Sequence, residues 1–191
     1  MSRKRDVASA AGPVAKVPAT PGLKGLVYLV KELKRINKSG LYLIEHDDDN
    51  FFQWTVYLTP DVLKRNAYEE IVPFLLRWQK LSHQDPVITL RIHFPREYPY
   101  EVPFVRIVRP RFHYQTGHVT IGGSVCTPLL TPNGWQTMDI DGLLAGIVLI
   151  LKEGNARIQL KPDIHCHAFL KDYTEGEARD AYTRVVERYG W

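Results

Sequence analysis

Four short runs in the middle of this chain switch their apolar period from three or four residues to two, and this limits the folds open to it. Leu41 to Glu45, Phe52 to Leu58, Val87 to Phe94 and Phe104 to Val108 each have the length of a strand. In the third, Val87, Thr89, Arg91 and His93 alternate with Ile88, Leu90, Ile92 and Phe94. Alternation of this kind gives a sheet two unlike faces. Asp47-Asp48-Asp49-Asn50 reads as a turn joining the first two runs into an antiparallel hairpin. Its carboxylates are no calcium loop of the helix-loop-helix type, which needs a bend glycine and a distant glutamate that do not follow at the required spacing.

Helical periods surround these strands. Leu26, Val27, Leu29, Val30 and Leu33 mark an amphipathic helix from Leu23, with Lys24, Lys31, Lys34 and Arg35 on its wet side and Asn37 to Gly40 ending it. Pro60 to about Lys80 reads as one or two short helices broken near Pro73. Asp139 to Lys152 carries Ile140, Leu143, Leu144, Ile147, Val148 and Leu151 at helical spacing, with Asp139 or Asp141 suited to its start. A last helix, Thr174 to Tyr189, opens with Thr174 and Glu177 at capping-box spacing and is expected to turn Ala178, Ala181, Tyr182, Val185 and Val186 inward. The predicted class is α+β: a four-stranded antiparallel meander with an N-terminal helix, a helical insertion at about 60–80 between strands two and three, and C-terminal helices.

A chain of 191 residues, 45% of them hydrophobic, can bury one sizeable core. Residues 1–21 hold Ala, Pro, Gly and basic residues without apolar period, so they are expected to form a flexible tail before a domain at 22–191. The formal charge of +4 is concentrated in short runs such as Ser2-Arg3-Lys4-Arg5 and Lys31 to Arg35, a pattern that fits solvated faces better than nucleic-acid binding. The longest apolar stretch, Leu143 to Leu151, is far short of a membrane span. Two cysteines forty positions apart, Cys126 and Cys166, make no disulfide framework, which points to a reducing cytoplasmic or nuclear compartment.

One of those thiols stands in "GGSVCTPLLTPNGW", residues 122 to 135, inside an irregular stretch from Arg109 to Thr137. A structureless connection of that length inside a domain is usually functional. A thiol flanked by Gly122, Gly123 and Ser124 is either incidental or placed to react. The glycines are expected to let the backbone pass beside a bulky substrate tail. Acyl exchange needs a reachable thiolate, and a thiol with a pKa of about 8.5 supplies a small ionised fraction near neutral pH. The "HCH" run at His165 to His167 lacks the further ligands of a tetrahedral zinc site, so no metal is expected.

"HFPREYPYEVPFVRIV" at 93 to 108, the cysteine segment, and "YTEGEARDAYTRVVERYGW" at 173 to 191, in this order, resemble the ubiquitin-conjugating enzymes and their fold. The insertion, the Gly-Gly approach to the cysteine, the "LLT" and "GW" after it and "KEGNARIQL" at 152 to 160 are similar to the Q-type branch. The resemblance implies that Cys126 accepts ubiquitin from an activating enzyme as a thioester and passes it to a substrate amine or another nucleophile, usually with a ligase. It implies no cofactor, and no nucleic-acid or membrane partner. Most members carry a His-Pro-Asn triplet whose Asn, eight residues before the cysteine, is implicated in holding the oxyanion or its loop. Here that position is His118, which could serve as oxyanion donor or base, or equally as a structural loop histidine. His113 is a weaker candidate. Q-type relatives also have a histidine before the closing Gly-Trp where this chain has Val186, a departure that leaves hydroxyl-directed transfer without its support.

Carried over by position, Asp163, with Glu153 and Asp172 behind it, stands where a carboxylate commonly helps desolvate an acceptor lysine. Pro99 and Tyr100, with Gln136 and Thr137, match the two loops gripped by RING-type ligases, while Lys24, Lys31 and Lys34 match the face that meets the activating enzyme. Two alternatives remain at this level: a non-catalytic variant of the fold that binds ubiquitin or a partner as a scaffold, and a thiol hydrolase with His118 as its base.

Overall fold

Strand pairing follows the alternation. The computed structural model describes residues 22–47 and 49–189, so the expected tail at 1–21 lies outside the described residues. Strands β1 (Leu43–His46), β2 (Gln53–Leu58), β3 (Ile88–His93) and β4 (Phe104–Arg109) form one antiparallel sheet in chain order. The register sets Trp54 opposite Ile92, Val56 opposite Leu90 and Leu58 opposite Ile88. All six side chains are fully buried on one face. The acidic turn is explained by local capping: Asp47 Oδ1 accepts from Asp49 N at 2.9 Å, and Asn50 Oδ1 accepts from Phe52 N at 3.2 Å.

Helix α1 (Leu23–Ser39) turns a different stripe inward from the one expected. Gly25, Leu29, Glu32 and Ile36 are buried, whereas Val27 is well exposed. Two contacts select this rotation. A Cβ at Gly25 would stand 2.2 Å from the Arg96 carbonyl oxygen, so only glycine allows the helix to approach there. Glu32 then accepts from Ile140 N at 3.1 Å and from the Arg35 guanidinium at 2.8 Å, which satisfies its buried carboxylate.

The insertion packs on the domain. Helix α2 (Pro60–Arg65) is capped by Thr59, whose hydroxyl accepts from Val62 N, and a 3-10 turn at Glu69–Ile71 leads into α3 (Val72–Ser82). Pro73 lies in the first turn of α3 and starts that helix instead of breaking it, because its missing N–H is an orphan there in any case. Leu63, Tyr68, Ile71, Leu75 and Trp78 join the core. The Tyr68 hydroxyl donates to Ala156 O at 3.1 Å and Lys152 Nζ donates to Ala67 O, tying the insertion to the exit of the next helix.

That helix, α4 (Ile140–Glu153), packs into the same core. Asp139 caps it by accepting from Gly142 N at 2.8 Å. Ile140, Leu143, Leu144, Ile147, Val148 and Leu151 are all buried to 0% exposure, each contributing about 1.5–3 kcal/mol by area removed from water. Helix α5 (Glu175–Tyr189) opens with the expected capping box: Glu177 N donates to Thr174 Oγ1 at 3.1 Å and Thr174 N donates to the Glu177 carboxylate at 2.7 Å. Only Ala178 and Ala181 of its apolar residues are buried; Tyr182, Val185 and Val186 are partly exposed because α5 lies along the rim of the domain beside Cys126.

Candidate functional site

The stretch around Cys126 is irregular only in its sequence pattern. Residues 118–126 fold into a small hairpin in which Thr120 N donates to Ser124 O, Gly123 N to Thr120 O and Cys126 N to His118 O, at 2.9, 2.9 and 2.8 Å. The Thr120 and Ser124 hydroxyls meet at 2.7 Å across it. Its returning arm docks on the edge of β4: Ile107 N donates to Gly123 O at 2.7 Å and Val125 N to Val105 O at 2.9 Å. Backbone bonds to a central sheet therefore fix the thiol's position, and a mobile loop does not.

The glycines before the cysteine have a different role from the one expected. Gly122 and Gly123 are both buried. A Cβ at Gly122 would lie 1.9 Å from the Glu177 carbonyl oxygen, and one at Gly123, where φ is +93°, would lie 2.6 Å from the Tyr173 ring. They let the hairpin tip pass under α5 and Tyr173.

Cys126 stands half-buried at the floor of a cleft of about 620 Å³ bounded by Tyr114, His118, Ile121, Val185 and Arg188. Burial pushes its thiol up from the ordinary value. Burial is the cause of that shift, so the cleft favours the neutral thiol over the thiolate. In a Cys166→Ser variant, which leaves Cys126 as the only thiol, the rate of alkylation by iodoacetamide is expected to rise with pH to a midpoint above that of free cysteine in the same buffer. A midpoint at or below free cysteine would show that the cleft stabilises the thiolate.

His118 is exposed, has φ of 54°, and shares the cleft with Cys126 while its ring makes no hydrogen bond among the described residues. The hairpin thus brings together the two residues the sequence paired at eight positions' distance, through the carbonyl of one and the N–H of the other.

Asp163 is placed elsewhere. Its carboxylate accepts from the backbone N–H groups of His165 and Cys166, both at 2.9 Å, and meets His113 Nδ1 at 3.2 Å. Partial desolvation opposes it, but those two N–H groups and His113 hold the carboxyl below its ordinary value. Asp163 closes a turn and is not among the residues lining the cleft of Cys126. Asp172 pairs with Arg109 at 3.3 Å, and Glu153 is exposed outside the cleft. In the histidine run, His165 stacks on Tyr114 at 4.8 Å and Cys166 O accepts from Gln159 Nε2 at 3.0 Å.

The two loops singled out for a ligase are joined by one bond. Trp135 Nε1 donates to Pro99 O at 2.8 Å, so Tyr100, 76% exposed, and the exposed Gln136 and Thr137 lie on neighbouring loops. Pro99 itself is buried beneath them. Lys24, Lys31 and Lys34 are exposed along α1, whose stripe at 24, 27 and 31 also presents Val27.

Sequence reasoning missed the far wall of the cleft. Ala181, Arg184, Val185 and Arg188 recur at helical spacing on α5 and line it opposite His118. The capping box fixed where α5 begins, but no sequence signal brings its rim face to the cysteine.

A half-buried thiol on a hairpin docked on a four-stranded antiparallel meander defines an α+β domain with a cysteine in an open cleft. The ubiquitin-conjugating enzyme family model matches residues 28–179, and the chain belongs to that family. Within it the relatives place it in the Q branch. It is 29% identical over 84% of its length to the Q-like ubiquitin-conjugating enzyme protein CG4502 of Drosophila melanogaster, of which it spans 49%. It is 27% identical over 78% of its length to the human Q-like ubiquitin-conjugating enzyme protein 1, of which it spans 85%, and 30% identical over 85% to the human ubiquitin-conjugating enzyme E2 Q1, of which it spans 38%. The chain thus covers about half or less of two of these three relatives.

Proposed function

We propose that this chain is a thioester carrier for ubiquitin, with Cys126 as the acyl-accepting nucleophile. The observation that carries the reading is the half-buried thiol held by sheet-anchored backbone bonds at the floor of an open cleft. In the first step the Cys126 sulfur attacks the thioester carbonyl of ubiquitin on an activating enzyme: a new C–S bond forms, the old one breaks, and the departing sulfur takes up the proton that Cys126 gives up. In the second, an acceptor amine attacks the Cys126 thioester carbonyl, a C–N bond forms, the C–S bond breaks, and the sulfur leaves with the amine's proton. A high thiol pKa suits a carrier more than a hydrolase, because the thioester must outlast transit between partners. The oxyanion contact is assigned to His118, which lines the same cleft as Cys126 in the place of the family's asparagine.

Lys24, Lys31 and Lys34 on α1 form the docking face for the activating enzyme. Tyr100, Gln136 and Thr137, braced by Pro99 and Trp135, form the face for a RING-type ligase, with Tyr100 as the aromatic anchor. A reducing cytoplasmic or nuclear compartment keeps the thiol in the working state.

The test is charging with activating enzyme, ubiquitin and ATP, read on non-reducing gels. The wild-type protein is expected to form a thiol-sensitive adduct that is lost completely in Cys126→Ala and retained in Cys166→Ser. Folded wild-type protein that fails to charge beside an active control enzyme would replace this reading with that of a non-catalytic scaffold.

A further inference from the structure

We propose that the cleft beside Cys126 selects acceptors whose attacking amine is flanked by acidic side chains, and that Arg184 and Arg188 are the residues that select them. This rests on the carrier reading above. Among the described residues the cleft around the thiol contains no aspartate or glutamate, and its charged side chains are those two arginines. Asp163, the carboxylate expected to receive an acceptor ammonium, is committed to His113 and to two backbone N–H groups outside this cleft. An ammonium-bearing acceptor with neutral or basic neighbours therefore meets cations and no counter-charge.

The arginines have no competing task. They do not activate the thiol, since burial alone shifts Cys126. Arg184 has no ion-pair or hydrogen-bond partner among the described residues, while Arg179 on another face of the same helix is paired with Glu175 at 2.7 Å. Arg188 lies over the ring of its neighbour Tyr189 at 5.7 Å and likewise has no carboxylate partner there. Arg188 suits the last turn of a helix electrostatically. Arg184 and Arg188 stand four positions apart, however, an arrangement that sets like charges against each other on one helix face. Asp180, four positions before Arg184 on the same helix, is the carboxylate spaced to offset it, yet the two form no ion pair among the described residues.

Reach fits the same reading. An extended peptide advances roughly 3.3–3.6 Å per residue, so a carboxylate one to three positions from the acceptor lysine can meet an arginine on α5 while the amine meets the thioester carbonyl. Ala181 and the Glu177 carbonyl pack against Gly122 at the hairpin tip, so the two walls adjoin one another.

The experiment uses full-length protein charged with ubiquitin, separated from activating enzyme and ATP, then chased with acetylated, amidated tripeptides Asp-Lys-Asp, Ala-Lys-Ala and Arg-Lys-Arg. Discharge is expected to be about threefold faster with Asp-Lys-Asp than with Ala-Lys-Ala at low salt, slowest with Arg-Lys-Arg, and the differences should shrink as salt is raised. Arg184→Gln is expected to flatten the order, and Arg184→Glu with Arg188→Glu to invert it. Equal rates with all three peptides would overturn the proposal, as would variants that slow all three by one common factor, which would assign the arginines to the donor. Charging is read on each protein before any peptide is added, so failure of the carrier reading shows at that step and is distinct from failure of acceptor selection.

Discussion

Gly122→Ala is expected to lower the melting temperature by about 6–12 °C, the equivalent of about 3 kcal/mol in a domain of this size. The added methyl would stand 1.9 Å from the Glu177 carbonyl oxygen and 2.9 Å from Ala181 Cβ, and the first of these is helix backbone, which no side-chain rotation can move aside. Either α5 lifts from the hairpin or the hairpin tip bends away from β4. Both routes loosen the backbone bonds that hold Cys126, so charging should fall with stability. Gly123→Ala adds a second source of strain, since φ of +93° disfavours any side chain and the new Cβ meets the Tyr173 ring. Gly176→Ala is the internal comparison. Nothing lies within 4 Å of its Cβ position and the residue sits in α5, so that change should leave stability unchanged or raise it by up to about 1 kcal/mol. Thermal unfolding of the three variants, with charging read in parallel, checks the order. A Gly122→Ala protein as stable as wild type would mean that α5 does not bear on the hairpin tip.

What was legible in the sequence tracks the range of the interactions involved. The strands were legible because alternation is local, and the register that buries Trp54, Val56 and Leu58 against Ile88, Leu90 and Ile92 follows from it. Asp139, Thr174 and Glu177 marked helix starts because a cap is satisfied within three residues. The rotation of α1 was not legible. It depends on a glycine meeting Arg96 and a carboxylate meeting Ile140, contacts made across 71 and 108 positions. The cysteine's place was legible through its neighbours in the chain, yet the purpose of the glycines was not, because what crowds them is α5 and Tyr173. For the same reason the arginine wall of the cleft carried no sequence signal: each arginine reads as a solvated helix residue until α5 is laid beside the thiol.

Arg111→Met is expected to cost about 3 kcal/mol, a fall of about 6–12 °C, and Arg111→Lys is expected to recover little of it. Arg111 is almost wholly buried, and its guanidinium donates to Lys171 O at 2.9 Å, to Asp172 O at 3.0 Å and to both oxygens of Glu177 at 3.0 and 3.1 Å. It also lies 4.3 Å over the Tyr173 ring, whose hydroxyl accepts from Phe112 N at 2.9 Å. One side chain thus fastens the segment entering α5 to the connection between β4 and the hairpin. Methionine fills the volume but leaves two carbonyls without a donor, and lysine has neither the plane to lie on Tyr173 nor the fork to reach three acceptors. Glu177 supplies a second readout. Partial desolvation opposes it, but the Thr174 N–H and Arg111 hold its carboxyl below the ordinary value. A carboxylate with a depressed folded-state pKa contributes stability above its unfolded value, roughly pH 4.3, and that contribution is lost as pH falls through the folded one. The wild-type protein should therefore lose melting temperature more steeply than Arg111→Met on acidification below about pH 5, so that the two curves converge. Parallel curves would place the worth of Arg111 in its carbonyl bonds alone, and a variant as stable as wild type at neutral pH would show that α5 is held in place without the clamp.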